Sequence, residues 1–259
     1  MTKTILITGA TDGIGLLAAQ KLSVQGHKVL MHGRSQAKLE SAIASLDGVT
    51  DGFLADLSDL DQVRAMYQDV VAKHDTLDVL INNAGVLKAP NPVLDNGQDI
   101  RFVVNTLAPA ILTKALLPIV PSDGRVLNLS SAAQAPVDIT FMAHGGRADH
   151  MSAYAQSKLA ITIWSQEMAR AHPAGPAFIA VNPGSLLASK MVKEGFGIAG
   201  NDLNIGADIL VDLSLNDGVG ERSGDYFDND HGDWGTPHAA ASDPSHCAFV
   251  MQMIADLIA

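Results

Sequence analysis

Short β-rich runs alternate with helix-periodic stretches along nearly all of this 259-residue chain, and that alternation restricts its fold more than any other feature. Runs near residues 4–8, 28–32, 52–55, 77–81, 124–129, 178–181 and 224–227 read as strands. Helices are expected near 14–24, 36–46, 59–73, 98–117, 152–171, 202–215 and 244–257. A helix between two strands returns the chain over one face of the sheet. Consecutive strands therefore pair in parallel and both faces are covered. Right-handed crossovers then give a doubly wound arrangement. Cap signals support two helix starts: Ser35 before the second, and Ser58 with Asp61 as a capping-box-like start of the third. No internal repeat, low-complexity tract or linker divides the chain, so a single domain over 1–259 is expected.

The first strand runs through Gly9-Ala-Thr11-Asp12-Gly13-Ile14-Gly15 straight into a helix. Glycine permits a tight turn and close backbone approach. A helix N-terminus presents free amides and a positive dipole end to a pyrophosphate. Seven strands with such a turn make the expected fold Rossmann-like: a doubly wound α/β domain with a seven-stranded, mostly parallel sheet. The spacing is Gly-x-x-x-Gly-x-Gly, not the Gly-x-Gly-x-x-Gly usual in dinucleotide folds. The second strand ends in Gly33-Arg34-Ser35. In a dinucleotide fold that end meets the adenosine ribose, where an acid binds a 2′-hydroxyl and an arginine accommodates a 2′-phosphate. Arg34, with no acid at 32–35, favours NADP over NAD. Asp56 and Leu57 follow the third strand, at the edge where open α/β sheets bind ligands. Asp56 either accepts from an adenine amino group or helps to cap the next helix. Asn82-Asn83-Ala84-Gly85 follows the fourth strand, in a turn that suits a ligand or locks the loop to its neighbours.

Tyr154 and Lys158 lie four residues apart on one expected helix and share a face. An ammonium beside a phenol favours the phenolate and lowers the phenol's pKa. Such a phenol exchanges a proton with a carbonyl or an alcohol near neutral pH. Taken alone, the pair reads equally as an ordinary helical pair with a solvated lysine. Asn105 interrupts an apolar helix face, so it either bonds backbone within the helix or holds a water beside a catalytic group. Ser130 and Ser131 end the fifth strand, where a hydroxyl reaches a ligand. Pro183-Gly184 follows the sixth strand. Residues 185–200 read as a lid over a site or as plain surface loop, and the loop 132–151 is long. Met142, Leu186, Met191 and Phe196 suggest an apolar pocket. His144 and His150 lack a third ligand at a convincing spacing, so no metal is expected.

The composition bounds the partners. The net charge is −11 with no basic block, which argues against nucleic-acid binding over a broad surface. No apolar run reaches the roughly 18 residues of a membrane span, since Pro109, Lys114 and Pro118 break the longest candidates. The apolar run before Gly9 is too short for a secretory signal. One cysteine, Cys247, rules out an internal disulfide and a cysteine zinc cluster. A cytoplasmic protein without membrane contact is the simplest expectation.

Six motifs occur together and in order: Thr8-Gly9-x-x-x-Gly13-x-Gly15, Asn82-Asn83-Ala84-Gly85, Asn105, Ser130-Ser131, Tyr154-x-x-x-Lys158 and Pro183-Gly184. Over nearly the whole chain this resembles the short-chain dehydrogenase/reductase family. The 23-residue step from Ser131 to Tyr154, Ser157-Lys158-Leu159-Ala160 and the late Ser223-Gly224-x-Tyr226-Phe227 are similar to its retinol-dehydrogenase-like branch. The resemblance implies an NAD(P)-dependent oxidoreductase acting on a small carbonyl or secondary alcohol, with a hydrophobic or aromatic substrate as the expectation. It implies Tyr154 as acid/base, Ser131 as the group that orients and stabilises the carbonyl oxygen, and Asn105 as support for a water-mediated proton path. Lys158 would lower the Tyr154 pKa and hold the nicotinamide ribose. Gly9, Thr11, Asp12, Gly13, Ile14 and Gly15 would line the pyrophosphate turn, Asn83, Ala84 and Gly85 the adenosine side, Asp56 and Leu57 the adenine. Pro183 and Gly184 would complete the cofactor site. Two departures stand out. The threonine often found after Pro-Gly is replaced by Ala188 or Ser189, and the basic residue common before the second glycine in NADP-preferring members is Asp12. Members are often dimers or tetramers, so a homodimer or homotetramer is a further expectation. The alternative function is a non-catalytic dinucleotide-binding regulator on the same fold.

Overall fold

The computed structural model describes every residue except Val49 and Arg147, and every other side chain except those of Glu194 and Phe196. Its strands are β1 (Thr4–Ile7), β2 (Lys28–Gly33), β3 (Thr50–Leu54), β4 (Val79–Asn82), β5 (Arg125–Leu129), β6 (Ala177–Asn182), β7 (Tyr226–Asp228) and β8 (Asp233–Gly235). They form one sheet in the order β3-β2-β1-β4-β5-β6-β7-β8. All neighbours are parallel except β7 and β8, which pair antiparallel with Phe227 opposite Trp234. Among the described residues the sheet thus has eight strands, one more than expected. The extra strand is a three-residue hairpin return on the sheet's edge, too short to leave a period-2 pattern in the sequence.

The helices are α1 (Gly13–Val24), α2 (Gln36–Ile43), α3 (Leu60–Lys73), α4 (Ile100–Phe102), α5 (Ala108–Leu116), α6 (Ile139–His144), α7 (His150–Ala171), α8 (Lys190–Phe196), α9 (Leu203–Leu215) and α10 (Pro244–Ile258). Alternation along the buried strands sorts side chains to the two faces. Leu6, Leu80, Val126 and Phe178 join the core under α3, α5, α7 and α10. Ile5, Ile7, Val79, Ile81, Leu127 and Ile179 join the core under α1 and α9. On α7, Leu159, Ile163 and Met168 are buried as their spacing requires.

Several local expectations are corrected. The cap of α3 is Asp59, whose Oδ1 accepts from the Asp61 and Gln62 amides, and not Ser58. Asp56 is tied up next to it, accepting from both the amide and the hydroxyl of Ser58 at 2.9 and 2.7 Å. Ser35 does occupy the cap position of α2 but makes no side-chain cap bond. The long apolar helix is interrupted: α4 passes through a π-helical turn, Val103–Leu107, into α5. This stretch, Ile100–Ile119, is long and apolar enough by composition to cross a bilayer, with a mean hydropathy of 1.6 despite its prolines. It is a core element here, 72% buried within the protein. The loops 132–151 and 185–200 are not featureless either, since α6 and α8 lie within them.

Candidate active site

Strand order reverses between β1 and β4, and the loops leaving the C-terminal ends of both sides part there. The crevice is a cleft of about 740 Å³. Every cofactor-side residue singled out in the sequence lies on its wall: the turn from Gly9 through Gly15, Arg34, Asp56-Leu57, Asn83-Ala84-Gly85 and Pro183-Gly184. Ser131, Tyr154 and Lys158 line it as well. Asn105 does not. It sits behind the wall, in the π-helical turn.

The glycine turn is held by contacts from three strands. Thr8 Oγ1 accepts from the amides of Asn83 and Ala84 at 3.0 and 3.1 Å. Asn83 Nδ2 donates back to the carbonyls of Thr8 and Gly9 at 2.8 and 3.1 Å. The Gly9 amide donates to His32 Nδ1 at 3.0 Å, and His32 Nε2 contacts the Ala55 carbonyl at 3.0 Å. A single imidazole therefore ties the turn after β1 to the ends of β2 and β3. Burial pushes its pKa down to about 4, so it stays neutral, with Nε2 carrying the proton and Nδ1 accepting. His32 went unnoticed in the sequence because it reads there as one more residue of a buried strand.

The turn fits a dinucleotide. A Cβ added at Gly13 would meet nothing within 4 Å, and at φ +58 the residue is a glycine by conformation as well. A Cβ at Gly15 would sit 2.6 Å from the Gly9 carbonyl oxygen, so backbone passes backbone there with no side chain between. Asp12 turns its carboxylate onto its own helix, accepting from the Gly13 amide at 2.7 Å. Asp12, which stands where NADP-preferring members often carry a basic residue, is thus the N-cap of α1. At the far end of β2, Lys38 lines the cleft together with Arg34, a second cation that helix spacing made available but that was not singled out.

Three strands along, roughly 14 Å away at the usual strand separation, β5 delivers the serines. Ser130 is structural. It is buried, its Oγ lies 2.6 Å from Thr162 Oγ1, and it donates to the Lys158 carbonyl at 3.1 Å. Ser131 faces the cleft, and its Oγ accepts from the Ala133 amide at 3.1 Å, which leaves its proton to donate elsewhere. Its hydroxyl lies within reach of the Tyr154 phenol and favours the phenolate. Lys158 is buried and donates from Nζ to the Leu129 carbonyl at 2.6 Å, with Nζ 5.5 Å from the centre of the Tyr154 ring. Asn105 bonds no backbone within its own helix. Its Oδ1 accepts from the Val86 amide at 2.8 Å, and its Nδ2 donates to the Val86 carbonyl at 3.0 Å and to Ser157 Oγ at 2.9 Å. It clamps the loop after β4 to α7, and the π-helical turn aims it there.

The remaining wall is apolar: Val86, Leu87, Met151, Leu186, Met191 and Val192. Leu186 and Met191 are where the sequence placed them. Met142 is not. It is fully buried and packs into the core through α6. The Phe196 side chain lies outside the described residues. Leu186 holds φ +54, a left-handed conformation rare for a non-glycine, at the start of the segment that closes this side. His150 Nδ1 sits 3.1 Å from Arg101 Nη1.

The sequence profile described as short chain dehydrogenase matches residues 3–196. The chain belongs to the short-chain dehydrogenase family. It is 32% identical to bovine (Bos taurus) retinol dehydrogenase 12 over 92% of this chain and 81% of that one. It is 28% identical to human (Homo sapiens) retinol dehydrogenase 13 over 87% and 76% respectively. A crystal structure of a Mycobacterium paratuberculosis protein superposes with a TM-score of 0.81 at 26% identity, covering 99% of this chain and 93% of the other. A Shigella flexneri short chain dehydrogenase complexed with NADP gives 0.70 at 26% identity, covering 88% and 96%. Within this family the chain sits in the retinol-dehydrogenase-like branch. Where other short-chain dehydrogenases often carry a threonine after Pro-Gly, the Ala188 amide here donates to the Asn201 carbonyl at 2.7 Å and Ser189 caps α8.

The electrostatics of this short-chain dehydrogenase site differ from the sequence expectation. Burial pushes the Tyr154 phenol above its ordinary value, and the Ser131 hydrogen bond only partly offsets this. Burial also depresses the Lys158 ammonium to about 7. Lys158 is buried and Tyr154 half-buried, and desolvation outweighs the attraction that the i, i+4 spacing suggested. A depressed lysine has a measurable consequence. Between pH 7 and the unfolded value of about 10.4, the unfolded chain binds the extra proton. The stability of the nucleotide-free protein therefore rises with pH across that window. In Lys158→Met this dependence disappears. The variant's Tm relative to wild type is expected to be most favourable below pH 7 and to fall as the pH climbs toward about 10. A Tm difference independent of pH would refute the buried-ammonium assignment.

Proposed function

We propose that this protein is an NADP-preferring oxidoreductase that interconverts apolar carbonyls and secondary alcohols, with Tyr154 as proton donor and acceptor. The observation that carries the reading is one continuous cleft. It holds the glycine turn with Arg34 and Lys38 at one side, Ser131, Tyr154 and Lys158 at the other, and an apolar wall beside them. A bound nicotinamide would supply the hydride. Ser131 donates its hydroxyl proton to the substrate oxygen, because its own oxygen is already engaged by Ala133. Tyr154 then gives up its proton to the same oxygen. Lys158 holds positive charge behind the phenol whenever it is protonated, which assists in the alcohol-to-carbonyl direction. Gly9 through Gly15 and the N-terminus of α1 would hold the pyrophosphate, and Arg34 with Lys38 the 2′-phosphate.

The wild-type protein is expected to oxidise NADPH with apolar aldehydes or ketones, and NADH more slowly. Arg34→Ala with Lys38→Ala is expected to raise KM for NADPH roughly 10–100-fold, the loss of charge-assisted hydrogen bonds, with little change for NADH. Equal effects on both nucleotides would remove the NADP assignment. Nucleotide binding without turnover over a broad carbonyl panel would favour the non-catalytic regulator instead.

A further inference from the structure

The Ser131 carbonyl oxygen is gripped from behind by two donors that the proposed reaction does not use. Tyr226 Oη donates to it at 3.1 Å and Gln134 Nε2 at 2.9 Å. Tyr226 opens β7, 95 residues further along the chain, and is 3% exposed. Gln134 is fixed in its turn, its Oε1 accepting from the His238 amide at 2.9 Å. Ser131 therefore has its carbonyl held twice and its Oγ held by Ala133. What remains free is rotation of its O–H, which lies against the Tyr154 phenol.

We propose that Tyr226 is a positioning residue: acting through the Ser131 carbonyl, its hydroxyl sets the Ser131 side chain against the Tyr154 phenol. This rests on the reading of Ser131 and Tyr154 as the reacting pair. The chemistry suits a permanent donor. Burial, then the charges of Asp228 and Asp230, push the Tyr226 phenol far above its ordinary range, and the neighbouring Gln134 side chain only partly offsets this. Tyr154 is the further titratable group that acts on it. The flanking strands present Ala180 and Gly235 opposite Tyr226, and neither titrates. Tyr226 thus keeps its proton at neutral pH and remains a donor to the Ser131 carbonyl there.

The chain has three tyrosines, Tyr67, Tyr154 and Tyr226, which makes the test direct. In a Tyr67→Phe background, Tyr226→Phe leaves Tyr154 as the sole phenol. Its ionisation can be followed by ultraviolet phenolate absorbance without nucleotide or substrate. The Tyr154 transition, identified as the one lost in Tyr154→Phe, is expected to move up by about half a pH unit or more in the double variant, because Ser131 no longer holds its bond to the phenolate. In steady state, Tyr226→Phe alone is expected to lower kcat about tenfold, with KM for NADPH nearly unchanged. An unmoved phenolate transition would overturn the proposal, whether kcat held or fell in parallel with Tm. If the wild type turned over no carbonyl at all, the reading of the site would fail, while the titration would still decide the positioning role.

Discussion

Replacing Tyr154 by phenylalanine is expected to lower kcat for carbonyl reduction about 10³-fold, leaving nucleotide binding and Tm nearly unchanged. The ring stays on α7 and keeps its packing, and only the hydroxyl that meets Ser131 is lost. An interaction made only in the transition state shows as an equal fall in kcat and kcat/KM. Direction matters too. Because burial raises the Tyr154 pKa, the phenol is protonated at neutral pH and ready to donate. Reduction should hold at neutral pH and decline as the pH rises through that raised value, whereas alcohol oxidation should climb over the same range. The phenylalanine variant should show neither limb. Stopped assays across pH, with nucleotide affinity measured by fluorescence quenching, check both parts. Wild-type kcat in the variant would remove Tyr154 from the mechanism.

Gly15→Ala is expected to weaken nucleotide binding about 100-fold and to lower Tm by roughly 2–10 °C. The new methyl would sit 2.4 Å from Asn83 Nδ2 and 2.6 Å from the Gly9 carbonyl oxygen. The first contact breaks the bonds Asn83 makes to Thr8 and Gly9, and the second forces backbone to move. A flexible side chain could step aside, but a carbonyl held in a turn cannot. The turn would open at the point where its amides face the cleft. Differential scanning fluorimetry with and without NADPH separates the two effects: the apo shift reports overpacking, and the lost ligand-induced shift reports the turn. Gly13→Ala makes the informative comparison. Its methyl would meet nothing, so its cost is the φ of +58 alone and should be the smaller.

Much of the site could be read without a structure because its parts are local. The glycine turn, the serine pair and the Tyr154/Lys158 pair are short motifs whose geometry follows from strand, turn or helix alone. Where several local solutions competed, the sequence misled. Ser58, Asp59 and Asp61 all make acceptable caps, and only the packed helix shows Asp59 in that place. Met142 looked like pocket lining because it is apolar and lies in a long loop, yet α6 carries it inward. Lys38 and His32 have no motif to announce them, and the late Ser-Gly-x-Tyr-Phe stretch that holds Tyr226 gives no sign of its bond to Ser131.

From its own residues the chain determined the order of strands and helices, the parallel winding they impose and which side chains share a helix face. These follow from periodicities of two and 3.6, which act between near neighbours. Only the tertiary structure decided how far Tyr154 and Lys158 are withdrawn from water, and so which way their pKa values move. It alone brought His32 onto the Gly9 amide and Tyr226 onto the Ser131 carbonyl. The reason is distance along the chain: desolvation and these hydrogen bonds depend on segments 23 and 95 residues apart meeting at one sheet edge, and no local pattern encodes that meeting.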